Sequence, residues 1–358
     1  MLSVLQVVRP ATGGMRRHVA TLCLGLPDRG VRCAVAAPLP VLDASDDDTE
    51  THAAPIAAAF RPLRDLRAVA AVCRAASGRD LLHAHGLRGA WIASWASRRT
   101  RLPLVVTVHN MPGAAGTARR RLAGVALARA RTVVAVSEAV ADALRRGLAR
   151  ADVVQVVPNG VALPASVDQA SARELLGIEP DAVVVLAAGR LAPEKGFDLL
   201  VAAAQEVIRG CPRVRILIAG DGSERAPLQR YAGEHGLTDH VRFVGQRPNM
   251  SAWYAAADVV AVPSRSEGQS LVAIEALAHA RPVVASRVGG LPEVVRHGVT
   301  GLLVMPERPH ELAEAIVALL QDDGARRSMG EAGRGDVAAR FAVDRMLDSV
   351  AAIYRQAV

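Results

Sequence analysis

Short runs of Val, Ile, Leu and Ala recur along the chain, separated by longer stretches rich in Ala, Leu and Arg. The runs fall at 2–8, 31–36, 80–83, 103–108, 132–136 and 153–157, then at 182–188, 214–219, 241–244, 258–262, 282–285 and 301–304. They are apolar throughout instead of alternating with polar residues, which predicts parallel strands covered on both faces. The stretches between them, among them 16–29, 63–77, 117–130, 198–209, 226–235, 270–279 and 309–321, predict helices. Strand–helix alternation on this scale predicts an α/β fold of doubly wound parallel sheets. The rhythm breaks at 156–177, where Pro158, Asn159 and Gly160 form a turn signal and no long apolar run follows. The expected domains are therefore 1–160 and 161–335. A final amphipathic pattern at 336–358, carrying Phe341, Met346, Leu347, Val350 and Ile353, predicts one more helix. Nothing in 39–60 predicts a regular element.

Composition sharpens this outline. At 358 residues, two domains of ordinary size are expected, and a 51% apolar content is enough for two cores. No signal peptide is expected ahead of the first strand, and no apolar run is long and uncharged enough to span a bilayer. Cys23, Cys33, Cys73 and Cys211 are scattered and read as reduced thiols, which points to the cytoplasm. A net charge of +8 and a pI near 10.2 suggest a polyanionic partner. With only 3% aromatic residues, stacking platforms for single strands are scarce, so a nucleic-acid partner is not expected. Arg119, Arg120, Arg121, Arg129, Arg131, Arg145, Arg146 and Arg150 cluster, and offer a surface for an anionic membrane's inner face or a phosphate-bearing acceptor. Asp46, Asp47, Asp48 and Glu50 are better read as a solvated acidic loop than as a cation site.

Of the 43 Lys and Arg residues, one is Lys, at position 195. It lies in Gly189–Gly196, GRLAPEKG, just after a predicted strand. A compact ammonium suits a phosphate held as a point-charge partner, and Arg190 adds a second cation to the same strand-end loop. The segment 258–275 predicts a strand, a loop carrying Glu267 and Gly268, and a helix capped by Ser270. The free N–H groups of that helix's first turn make an anion site. Glu267 before the helix and Glu275 within it can face one ligand at different depths, reinforced by Gly289 and Gly290 in the next strand-end loop. In the first half, Gly13 and Gly14 follow the first strand, and His109 closes the strand 103–108. His83 and His85 share one face of a strand end, but no third ligand is spaced for a metal, and none is expected. Ser137 and Glu138 predict a helix start.

GGMRRHV, VTVHN, VSEAV, VPNGV, GRLAPEKG, AGDG, RFVG and SEGQSLVAIEALAHARPVVAS, followed by VGGLPEVV, together resemble the family 4 retaining glycosyltransferases, in order and almost from end to end. The resemblance implies a GT-B fold: two Rossmann-like domains facing a cleft, with the last helix, 336–358, crossing back to the first. It implies a nucleoside-diphosphate sugar as donor, no cofactor and no bound metal. Residue by residue, it implies that Arg190 and Lys195 hold the diphosphate, Glu275 the ribose hydroxyls and Glu267 the donor sugar. Gly268, Gln269, Ser270 and Leu271 would offer backbone groups to sugar and phosphates, Gly14 would lie near the diphosphate, and Val244 and Gly245 would meet the base. His109 would lie near the transferred sugar and aid catalysis. Gln269 departs from the aromatic residue common there, which leaves the donor sugar open.

The function expected is transfer of a sugar to a hydroxyl of a glycan, glycolipid or small metabolite, with the donor on the second domain and the acceptor on the first. The catalytic set would be Arg190, Lys195, Glu267 and His109. Two rivals stay open: an epimerase or hydrolase of sugar nucleotides on the same plan, and a non-catalytic sugar-nucleotide-binding protein. Base, acceptor and oligomeric state are not legible.

Overall fold

The computed structural model describes residues 1–10, 13–39, 49–113, 117–165 and 168–358, with the backbone alone at 117–120. The chain divides into two compact units, one of Met1–Gly160 with Val343–Val358, the other of Val161–Ala342.

The first unit is built on seven strands, all parallel: β1 (Leu2–Val8), β2 (Val31–Ala37), β3 (Glu50–Ala53), β4 (Leu81–His85), β5 (Leu104–Val108), β6 (Thr132–Ala135) and β7 (Val154–Val156). Their order is β3-β2-β1-β4-β5-β6-β7, so the winding reverses between β1 and β4. Ligands of open α/β sheets gather at the carboxyl ends beside such a reversal. One sheet face is covered by α2 (Pro62–Ala75), α3 (Gly86–Thr100), α4 (Thr117–Leu127) and α5 (Glu138–Arg145), which share a core with Leu5, Val7, Leu82, Leu104 and Val106. The other is covered by α1 (Gly14–Gly25) and by the helix Val343–Ala357, packed on Val4, Val8 and Val35.

β3 corrects the expectation that 39–60 holds no regular element. Glu50–Ala53 pairs with β2 on one side only, and three of its four residues are exposed. An edge strand needs neither an apolar run nor alternation, so the pattern was silent. Asp46, Asp47 and Asp48 lie outside the described residues; Glu50 forms an ion pair with Arg79, and its Oε1 lies 3.0 Å from His52 Nε2.

The second unit repeats the plan with six parallel strands: β8 (Val183–Ala188), β9 (Val214–Ala219), β10 (Val241–Gly245), β11 (Val259–Val262), β12 (Val283–Ser286) and β13 (Gly301–Val304). The order β10-β9-β8-β11-β12-β13 places the reversal between β8 and β11. Its helices are α6 (Gln169–Leu176), α7 (Phe197–Gly210), α8 (Arg225–Glu234), α9 (Ser251–Ala256), α10 (Leu271–Ala278), α11 (Leu291–Val294), α12 (Pro309–Gln321) and α13 (Asp323–Arg340). The segment expected as one helix over 336–358 is the end of α13 and all of α14 (Val343–Ala357). Between them Ala342 bridges to Val161, and Val161 N–H donates to Phe341 C=O over 2.9 Å. Phe341 is buried in the core of the second unit, whereas Met346, Leu347, Val350 and Ile353 are buried in the first. One apolar stripe in sequence thus serves two cores. No helix among the described residues is long and apolar enough to cross a membrane.

Candidate active site

In the second unit, the loops leaving β8 and β11 meet beside the reversal. The first carries Arg190 to Gly196 and ends in a short turn, Pro193–Lys195. The second carries Ser264 to Ser270 and opens α10. Ser270 caps that helix, its hydroxyl accepting from Ala273 N–H over 3.3 Å. Gly196 lets the β8 loop touch the β11 loop, and Gly289 lets the loop after β12 touch it from the neighbouring strand. Gly196, at φ +65°, would place a Cβ 2.1 Å from Pro263 C=O, and Gly289, at φ +50°, one 1.8 Å from Glu267 C=O. No side chain fits either position, so the approach demands glycine. Gly290 N–H donates to the same Glu267 C=O over 3.2 Å.

Lys195 and Glu267 meet across this junction as an ion pair, and Ser264 donates to Glu267 Oε1 over 3.1 Å. Both line a shallow depression with Phe197, Pro263, Ser270 and Val272. Glu267 is buried, and the attraction of Lys195 offsets the cost of removing its carboxylate from water. Arg190 pairs instead with Glu194 on its own loop and keeps 60% of its side chain exposed.

Arg265, invisible as a site residue in the sequence, ties the two loops together. Its guanidinium donates to both Asp198 carboxylate oxygens at 2.7 Å and to Pro193 C=O at 2.9 Å, and it also pairs with Glu307. Its own N–H donates to Glu194 C=O over 2.9 Å. Beside the guanidinium, the Asp198 carboxyl is held below its ordinary range. A bidentate Arg–carboxylate bond fixes geometry as well as charge, so the loop that carries Lys195 is clamped to the loop that carries Glu267.

Glu275 lies one helix turn deeper and is buried; Tyr254 donates to its Oε2 over 2.9 Å. His279 donates from Nδ1 to Glu275 C=O over 2.8 Å while its Nε2 faces Ser251 Oγ at 2.9 Å. Gly268 and Gln269 precede the cap, and Leu271 is the first residue of α10. Val244 and Gly245 end β10, where Gly220 N–H donates to Gly245 C=O over 2.8 Å.

In the first unit, Gly14 opens α1 and His109 follows β5. His109 belongs to a buried polar chain. Its Nε2 lies 3.1 Å from His85 Nδ1, and His85 Nε2 lies 2.8 Å from Gln6 Oε1. Gln6 donates through Nε2 to Tyr354 Oη over 3.1 Å and to Cys33 Sγ over 3.4 Å. Tyr354 in turn lies 2.6 Å from His83 Nδ1, and His83 Nε2 lies 2.7 Å from Thr107 Oγ1. Because Gln6 Oε1 only accepts, His85 carries its proton on Nε2 and presents a bare Nδ1. His109 then donates from Nε2, Tyr354 donates to His83, and His83 donates to Thr107: every member is satisfied with all rings neutral. Burial enforces neutrality, lowering His18 to about 4 and His83 to about 3 and pushing His85 and His109 well below the ordinary 6.5. At His18, Asn159 opposes the shift. His18, His85 and His109 bring ring nitrogens within 4.8 Å of one another, a trio that joins His85 to two histidines other than His83 and that sequence spacing did not reveal. The hydrogen bond already joining His85 to His109 accounts for two of them without an ion.

Comparison with known proteins agrees with this layout. The sequence profile described as Glycosyltransferase Family 4 matches residues 12–163, and that described as Glycosyl transferases group 1 matches 182–322. A D-inositol 3-phosphate glycosyltransferase of Kribbella flavida is 37% identical, over 71% of this chain and 66% of that protein. One of Segniliparus rotundus is 33% identical over 97% of this chain and 85% of its own length. Among solved structures, Anabaena HepE in complex with UDP and glucose superposes with a TM-score of 0.86 at 26% identity, covering 99% of this chain and 100% of that one. Two Rossmann-like units in this order, and a relative matched almost end to end, place this chain in the family 4 glycosyltransferases, on the GT-B fold.

Proposed function

We propose that the chain transfers a sugar from a UDP-sugar to a hydroxyl of a phosphate-bearing polyol, without a metal and with retention at the anomeric carbon. The observation that carries this reading is the Lys195–Glu267 pair in the β8/β11 depression. A diphosphate entering there competes with Glu267 for Lys195, and Arg190 adds a second cation from the same loop. Released from the ammonium, Glu267 accepts hydrogen bonds from sugar hydroxyls. Glu275, oriented by Tyr254, accepts from the ribose, and the strand end at Val244 and Gly245 meets the base. The backbone of Gly268, Gln269, Ser270 and Leu271 completes the anion and sugar contacts. In the first unit, Gly14, which opens α1, is assigned to the diphosphate, and His109, which follows β5, to the transferred sugar. UDP is favoured because HepE holds it at 26% identity, and the polyol phosphate because the curated relatives named above act on one. A UDP-sugar donor and four unpaired cysteines suit the cytoplasm.

In the reaction, the bond from the anomeric carbon to the diphosphate breaks as the acceptor oxygen bonds to the same face. The acceptor's proton passes to the departing phosphate oxygen, whose growing charge Lys195 and Arg190 stabilise. Loss of one such preorganised donor typically lowers kcat by about 10²–10³-fold. Lys195→Ala is expected to show that loss with D-inositol 3-phosphate as acceptor, and Lys195→Arg a smaller one. Glu267 loses its partner in the first variant, so folding is checked by thermal unfolding. Full activity in a folded Lys195→Ala enzyme would remove Lys195 from the mechanism. UDP, GDP and ADP compared by thermal shift decide the base, and the anomeric configuration of the product decides retention. Undiminished rates in EDTA are expected; a loss restored by a divalent cation refutes metal independence.

A further inference from the structure

The positive charge of the chain is not evenly spread. Residues 51–131 contain fourteen Arg and two acids, Asp65 and Asp80, an excess of +12 where the whole chain carries +8. The remainder is therefore net negative. Both acids are occupied: Asp65 is buried in an ion pair with Arg88, and Asp80 accepts from Ser3 N–H over 2.8 Å. Arg88 is neutralised by Asp65 and Arg79 by Glu50, and among the described residues no other acid within the segment answers the remaining arginines.

The same segment holds the densest set of exposed apolar side chains among the described residues. Phe60, Leu63, Leu66, Trp95, Leu122 and Val125 are between 39% and 76% exposed. They belong to α2, the residue just before its cap, α3 and α4, three helices on one face of the first sheet. Phe60 packs edge-on against Trp91, and Trp91 against Trp95, each with ring centroids 5.9 Å apart, so the α2 and α3 groups are continuous. Arg61, Arg64 and Arg67 flank the leucines on α2, Arg98 and Arg99 follow Trp95 on α3, and Arg121 precedes Leu122; all are exposed. Apolar side chains of this size left in water beside Arg, with Trp among them, match the interface of an anionic bilayer: rings and leucines enter the acyl boundary while guanidinium groups meet phosphates. A protein partner of mixed charge would leave much of this excess unanswered.

We propose that the outer face of α2, α3 and α4 docks the first unit on an anionic lipid surface. The face is the outer side of helices that cover one face of the first sheet, and none of its residues belongs to the proposed catalytic or donor-binding set. Of the arginines clustered at 119–150, Arg121 is exposed beside Leu122 on this face; α2 and Trp95 carry its centre.

Flotation of the full-length protein with phosphatidylglycerol-rich and with pure phosphatidylcholine vesicles tests this. At low salt the protein is expected to float with the former only, and to be released at 1 M salt, where the screening length falls to about 3 Å. Leu63→Asp with Leu66→Asp is expected to lower binding by about tenfold or more, since each leucine contributes on burial. Arg61→Gln, Arg64→Gln and Arg67→Gln together are expected to weaken it and flatten its salt dependence. These positions are exposed and outside the catalytic set, so transfer to a water-soluble acceptor should be unchanged, which verifies folding. The proposal is overturned by a wild-type protein that does not float at low salt, by equal binding to neutral vesicles, or by leucine variants that float undiminished. A dimer in size-exclusion chromatography that the leucine variants dissociate would also overturn it, assigning the face to a second copy of the chain.

Discussion

Tyr354 places one hydroxyl between Gln6 and His83, at 3.1 and 2.6 Å, inside the first unit. Removing it by Tyr354→Phe leaves a buried amide N–H and a buried ring nitrogen without their partner. Each such orphan costs about 1–3 kcal/mol. The urea midpoint of the first unit should fall accordingly, and an unmoved midpoint would mean that water replaces the hydroxyl. No local signal announces this residue. Gln6 and Tyr354 are 348 positions apart, and each alone reads as one polar residue in an apolar pattern. Lys195 and Glu267 were easier, although 72 positions separate them, because each sits in a local strand–loop–helix motif with its own glycine. Their direct pairing was not legible, and neither was Arg265. A loop arginine looks like any other solvated charge until the loop it clamps is known.

At the scale of elements, α14 is the clearest case of sequence pattern serving packing. Met346, Leu347, Val350, Ile353 and Tyr354 recur at helical spacing and are all buried against β1, β2 and α1. Leu347 fills the space beside Gly25, where a Cβ would lie 2.3 Å from its Cδ1. Leu347→Ala should therefore open a cavity and destabilise the first unit by about 2–5 kcal/mol. Hydrogen exchange in β1 and β2 would report the loss, while β8 and β9 serve as the internal control. Equal loss of protection in both units would show that they unfold as one. Strand positions were legible to within a residue or two, since runs apolar on both faces have few alternatives to a central parallel strand. β3 escaped because an edge strand obeys no such constraint. The single helix expected at the end became two because an apolar stripe shows that a helix buries a face, not which core receives it.

For the whole molecule, the four buried histidines make stability depend on pH. In the unfolded chain His18, His83, His85 and His109 bind protons near the ordinary value of 6.5; folded, His18 binds one only at about 4 and His83 at about 3, with His85 and His109 well below 6.5. Below pH 6.5 the unfolded state thus holds more protons than the folded one. Stability is complete above that pH and falls as the solution is acidified toward pH 4. The unfolding midpoint of the first unit should drop between pH 7.5 and 5, before most carboxylates titrate. A flat midpoint over that range would show that one or more rings stay charged on folding or that the pocket admits water. The histidines were visible in the sequence as separate strand-end residues, but their shared burial and hydrogen-bond order were not.

The sequence by itself determined the α/β class, the two units, the strand positions and the two motif loops of the second unit, because each follows from short-range periodicity or from a glycine, cap or charge at fixed spacing. It also carried the charge excess of 51–131, which is a property of composition. Only the tertiary structure decided which residues meet: Lys195 with Glu267, Arg265 with Asp198, Tyr354 with Gln6 and His83, and the exposed apolar side chains of three helices on one face. The physical reason is that hydrogen bonds and ion pairs act over a few ångströms in space, whereas sequence pattern reports only how each segment satisfies its own backbone and hides its own apolar face.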